Sequence, residues 1–112
     1  MAQMRLDIAD LPAEPLDAAG DFHARYLSRA RALLDGATSL VLVFPLADQA
    51  HHGWRLAVVQ QLARIAAPAA RVNAITGADA AGIEQTLAWL ADAPGVTGQI
   101  LTVDGNSPDI PA

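Results

Sequence analysis

A chain of 112 residues can build one hydrophobic core but not two domains sharing a cleft. With 53% hydrophobic and 17% charged residues, the composition excludes extended disorder. The net charge of -5, in which all 7 basic residues are Arg, repels phosphate backbones, so no nucleic-acid partner is expected. Cys is absent, which removes disulfides, thiolate metal centres and cysteine nucleophiles. No apolar run reaches the roughly 18 residues of a membrane span, and none near the start suits a leader, so a cytoplasmic protein without a membrane partner is the expectation.

Residues 4–8 read as a short strand, closed by Asp10-Leu11-Pro12 and followed by Pro15, which suits the first turn of a helix. Across residues 16–34, Leu16, Ala19, His23, Tyr26, Leu27, Ala30, Leu33 and Leu34 recur at three- and four-residue steps, the pattern of one amphipathic helix that Gly36 ends. Residues 39–44 are apolar at consecutive positions, which predicts a central parallel strand buried on both faces. Asp48 is the expected N-cap of a second helix, 49–66, stopped by Pro68. That helix is apolar nearly all round. Leu56, Val59, Leu62 and Ala63 define one face and Trp54, Ala57, Val58, Gln61 and Ile65 another, so one sheet cannot bury both.

A third strand over 71–76 leads through Gly77 and Asp79 into a third helix, 80–92, whose core face is Ile83, Leu87, Leu90 and Ala91. Pro94-Gly95 breaks it, 99–103 forms the fourth strand, and Asp104-Gly105-Asn106 turns into a tail, 107–112. The fold class expected is therefore α/β, a Rossmann-like half-domain over 1–106 with a four-stranded, mainly parallel sheet in chain order and three helices. Right-handed crossovers between sequential neighbours would put those helices on one face of the sheet. The other face would then be bare although 39–44 is apolar on both sides, so either the strand order differs or a second subunit covers that side, and the edge at the first strand would be left open.

Four stretches carry a family resemblance in the right order: Leu62-Ala63-Arg64, Arg71-Val72-Asn73-Ala74-Ile75, Leu87-Ala88-Trp89-Leu90, and Thr97-Gly98-Gln99 with Val103-Asp104-Gly105. From about residue 22 to 106 the chain resembles the C-terminal half of the short-chain dehydrogenase/reductase family. The resemblance implies a catalytic helix opening on Tyr-x-x-x-Lys, but an ungapped count back from Leu62 puts Asp48 at the Tyr position and His52 at the Lys position. A carboxylate, ionised near neutral pH, does not supply the proton that a phenol donates. Phe44-Pro45-Leu46 stands where the family's catalytic Ser lies, and Thr76-Gly77 half-matches its Pro-Gly. The glycine-rich turn that cradles a dinucleotide pyrophosphate has no counterpart here. The resemblance thus implies a relative without the inherited catalysis and without a cofactor.

Two functional readings remain at this point. One is a partner-binding module, chiefly a homodimer or else a partner of a full-length dehydrogenase-like protein, because the family commonly pairs through the helices matching 16–34 and 49–66. Its interface candidates are Tyr26, Trp54, Val58, Gln61 and Ile65. The other is a nucleotide or small-acid binder using a remnant cleft at the carboxyl ends of the strands, with candidates Phe44, Asp48, His52, Thr76 and Gly77.

Other chemistry is weaker. Adjacent helical residues diverge by about 100°, so His51 and His52 are not expected to share a metal with His23 or Asp48; a turn contact between Asp48 and one of these histidines is simpler. Ser39 lacks a nucleophile elbow. Arg25, Arg29 and Arg31 form a modest basic patch, either solvated or facing an acidic group.

Overall fold

Ser39–Phe44 is buried along its whole length, as its unbroken apolar run predicts, and forms β2 inside a four-stranded sheet. A computed structural model describes residues 2–103; the predicted turn at 104–106 and the tail lie outside the described residues. The sheet runs in the order β1 (Gln3–Asp7), β2, β3 (Arg71–Gly77), β4 (Ile100–Val103). All three pairings are parallel, with Leu6 beside Leu42, Leu42 beside Ala74 and Ala74 beside Ile100. The strand order is that expected from the sequence.

The helices differ from expectation in number and in placement. The single helix foreseen over 16–34 is two, α1 (Pro15–Arg25) and α2 (Leu27–Leu34). Tyr26 interrupts them, with φ -112° and ψ -24°, although its N–H still bonds Phe22 O at 2.8 Å and its O accepts from Ala30 N–H at 2.9 Å. Its phenol oxygen is anchored at Ala9, accepting from the backbone N–H at 3.1 Å and donating to the carbonyl at 3.0 Å. Leu16, assigned to the apolar stripe, is 79% exposed. Asp48 caps a 3-10 turn, Gln49–His51, which leads into α3 (His52–Ala66). The last helix, α4 (Ala80–Ala91), opens under Asp79, whose carboxylate accepts from Gly82 N–H at 2.9 Å. Gly36, with φ +82°, follows α2 in the left-handed conformation that a helix terminus uses.

Alternation along β2 divides the core in two. Leu40, Leu42 and Phe44 face α1, α2 and α3 with Phe22, Val59 and Leu62, whereas Val41 and Val43 face α4 with Ile83, Leu87 and Leu90. The prediction of one bare face is therefore corrected: α4 covers it, and no second subunit is needed there. Because every strand step runs the same way across the sheet, placing α4 opposite α3 gives the last crossover the opposite hand to the first two. Such connections are rare, right-handed ones accounting for about 98%. Close packing around Val103 of β4 explains two glycines: a Cβ on Gly82 of α4 would lie 2.5 Å from Val103 Cγ1, and one on Gly77 of β3 would lie 2.5 Å from Val103 O.

Gly77→Ala should therefore push β4 from β3 and destabilise the chain by about 1–3 kcal/mol, the range for overpacking. An unchanged urea midpoint would contradict this close approach. β1 is an edge strand, as expected from the sequence. Gln3, Arg5 and Asp7 line its α4 side, with Arg5 bound to Asp7 at 2.9 Å and Glu84 at 2.8 Å, and Gln3 Nε2 donating to Leu87 O at 2.9 Å. Charged side chains of this kind discourage pairing by a foreign strand.

Candidate functional site

Parallel strands leave a crevice beyond their carboxyl ends, where ligands of open α/β sheets bind. Here a cavity of about 160 Å³ is bordered by Leu46, Asp48, His52, Arg55, Thr76 and Thr102. Three of the cleft residues expected from the sequence, Asp48, His52 and Thr76, meet there. Phe44 and Gly77 do not: Phe44 is fully buried in the α1–α3 core, and Gly77 is packed against β4. A second cavity, about 300 Å³, lies on the side of Asp10 and Pro12 and shares Leu46, Asp48, His51 and Arg55 with the first.

Arg55 is the residue that the sequence reading passed over. Only 5% exposed, it donates from Nη1 to Pro45 O at 2.9 Å and stands over the Phe44 ring at 4.5 Å. Its Nε is buried without a hydrogen-bond partner. Burial pushes its pKa below the usual arginine value, yet a guanidinium stays protonated in proteins. The available signal was periodicity, since Arg55, Val59 and Leu62 follow at four- and three-residue steps on the buried stripe of α3, where a cation needs an explanation.

Beside it, His51 is 7% exposed and has both ring nitrogens engaged. The indole of Trp54 can only donate, and its Nε1 lies 3.1 Å from His51 Nδ1. Nδ1 is thus the acceptor, and Nε2 carries the proton it gives to Ala13 O at 2.9 Å. Asp48 and His51 meet in the turn through the backbone, Asp48 O accepting from His51 N–H at 3.1 Å, while Asp48 Oδ1 accepts from Ala50 N–H at 3.1 Å. His23 bonds Ala19 O through Nδ1 on exposed α1. Among the described residues no three potential metal ligands come together.

A second concavity runs along the outside of the helices. About 320 Å³ in volume, it lies between α1–α2 and α3 and is bordered by His23, Leu27, Trp54, Ala57, Gln61 and Ile65. Of the predicted interface residues, Trp54, Val58, Gln61 and Ile65 line it, and Ile65 is 58% exposed. Val58 forms its floor at 7% exposure, and half-buried Trp54 packs on Phe22 and Phe44 at ring separations of 5.7 Å. Tyr26 lies elsewhere, 5% exposed and stacked on Phe22 at 5.9 Å. The basic patch on this layer is partly spent: Arg25 pairs with Asp21 at 2.8 Å and donates to Asp10 O at 2.9 Å.

The family-like stretches prove to be scaffold. Arg71 Nη1 donates to Leu90 O at 3.1 Å and Ala93 O at 2.9 Å, satisfying carbonyls at the end of α4. Asn73, 1% exposed, donates to Val96 O at 2.9 Å and accepts from Gln99 N–H at 3.0 Å. Thr97 Oγ1 accepts from Val72 N–H at 3.1 Å, and Gly98 N–H, at φ +74°, donates to Val72 O at 2.7 Å. Thr97-Gly98-Gln99 therefore aligns β4 on β3. Ser39 is likewise structural, its hydroxyl donating to Gln3 Oε1 at 3.0 Å.

A family model described as SDR-like, short chain dehydrogenase-like protein, matches residues 6–103. The chain belongs to that family, and its α/β fold is the one the resemblance implied. No curated protein shows significant similarity to it. No helix among the described residues is long and apolar enough to cross a membrane.

Proposed function

We propose that this chain is a non-catalytic short chain dehydrogenase-like protein whose role is association, two copies pairing through the groove between α1–α2 and α3. The observation that carries the reading is the groove itself, an apolar concavity ending at Ile65, which leaves 58% of its surface in water. Exposed apolar surface gathered at one concavity favours association, by about 25 cal/mol for each Å² removed from water. A second copy suits it because the family commonly pairs through these same helices, and a two-fold axis along α3 would bring each Ile65 towards the partner's groove.

Loss of the inherited chemistry supports the same reading. Asp48 and His52 stand at the Tyr and Lys positions, and Phe44 is a core residue where the catalytic Ser would be. No cofactor is proposed, and the protein is proposed to work in the cytoplasm.

The test uses surface positions, because Asp at Val58 or Trp54 would disrupt the core before it disrupted an interface. Ile65→Asp and Ala57→Glu should each turn a dimer into a monomer with unchanged circular dichroism, measured by light scattering behind size exclusion. Retention of the dimer by both variants would move the interface elsewhere. A wild-type monomer that instead co-elutes with a full-length dehydrogenase relative would redirect the groove to that partner.

A further inference from the structure

The 3-10 turn ahead of α3 places one histidine between the crevice and the groove. His51 borders both cavities at the carboxyl ends of the strands, while Trp54 borders the groove. The two side chains meet at 3.1 Å, indole Nε1–H donating to imidazole Nδ1. At the far side of the ring, Nε2–H donates to Ala13 O at 2.9 Å, so His51 is fixed through both nitrogens. Only a neutral imidazole can do this, because a protonated ring has two donors and no acceptor.

We propose that His51 is a proton-sensitive latch on Trp54, closed while the imidazole is neutral and opened when Nδ1 takes up a proton. Protonation sets two N–H groups against each other across the 3.1 Å contact. The bond from Nε2–H to Ala13 O becomes charge-assisted and holds more strongly, so the ring stays and the indole moves. Trp54 then shifts on Phe22 and Phe44, the rings it packs against at 5.7 Å, and the groove changes shape at that wall.

Among the described residues, the titratable and charged groups bordering the cavities beside His51 come from three elements. They are Asp10 after β1, Asp48 in the turn, and His52 and Arg55 on α3. Glu14, next to Ala13, is turned to Asp17 N–H. The two aspartates favour a cation at His51, and Arg55 opposes one.

The test follows these two side chains alone, so its outcome is separate from whether two copies pair. Nitrogen-resolved NMR of the full chain is recorded from about pH 8 to pH 5, the range in which imidazoles change charge. His51 should show the Nε2–H tautomer at the upper end, and the Trp54 indole N–H signal should move with the same midpoint as the His51 ring. In a Trp89→Phe chain, whose remaining tryptophan is Trp54, fluorescence should shift to longer wavelength as the pH falls. Adding His51→Asn keeps an acceptor near the Nδ1 position and removes the titration, so that emission should stay constant over the same range. If that variant does not fold, the wild-type nitrogen signals decide alone. An Nδ1–H tautomer at the upper end, a His51 ring that stays neutral throughout, an indole signal that does not follow the ring, or an emission shift that persists in folded His51→Asn would each overturn the latch.

Discussion

Replacing Asn73 by Leu is expected to destabilise the chain by about 2–4 kcal/mol, because two backbone groups would lose their partner inside the protein. Asn73 sits in the middle of β3 and is 1% exposed. Its amide reads the loop before β4 from both sides, donating at 2.9 Å to Val96 O and accepting at 3.0 Å from Gln99 N–H. Leucine keeps the branching at Cγ, is bulkier, and supplies neither bond. Asn73→Asp would keep an acceptor for Gln99 but not the donor for Val96, and would bury a charge, so it should be no milder at neutral pH. Urea unfolding gives the size of the effect, and hydrogen exchange at the Gln99 amide gives its place. A loss under about 1 kcal/mol would mean that the loop is held mainly by Thr97 and Gly98 instead.

Phe22→Ala should cost about 3–5 kcal/mol, the usual range for a large buried aromatic. Its ring is fully buried and lies 5.7 Å from Trp54, 5.9 Å from Tyr26 and 6.0 Å from Phe44, so it joins α1, β2 and α3 in one cluster. Against a total stability of about 5–15 kcal/mol for a domain of this kind, the loss is a substantial fraction. Leu16→Ala, on the same helix but at a side chain 79% exposed, should change the thermal midpoint little. Equal effects from the two substitutions would show that α1 is not docked as described.

The strands were legible because turn residues bound each of them, and β2 was recognisable as central because its positions from Leu40 to Phe44 are all apolar. Capping was legible at Asp48, which accepts the backbone N–H bond that its place predicts. The side on which α4 packs was not, because periodicity tells which residues of a helix are buried and says nothing of which face of the sheet buries them. The usual right-handed crossover then pointed the wrong way. The break at Tyr26 escaped for a related reason, since the bonds from its hydroxyl to Ala9 join residues 17 apart and leave the three- and four-residue spacing intact.

At the site, legibility followed chemistry. Asp48 and His52 were singled out by the count from the family-like stretches and Thr76 by its half-match to the family's Pro-Gly, and the three border one cavity. Arg55 was missed because α3 is apolar nearly all round, which blurs its rotational phase, and because attention went to the residues that the family's chemistry would need. The stretches that the chain retains, around Arg71, Asn73 and Thr97, are those whose polar groups close backbone hydrogen bonds.

Sedimentation equilibrium of the unmodified chain over a range of concentrations tests the central claim, that the groove beside α3 joins two copies. The account predicts a single species of twice the chain's mass, dissociating on dilution into monomers that remain folded. A folded monomer at every concentration, with no self-association, would contradict it.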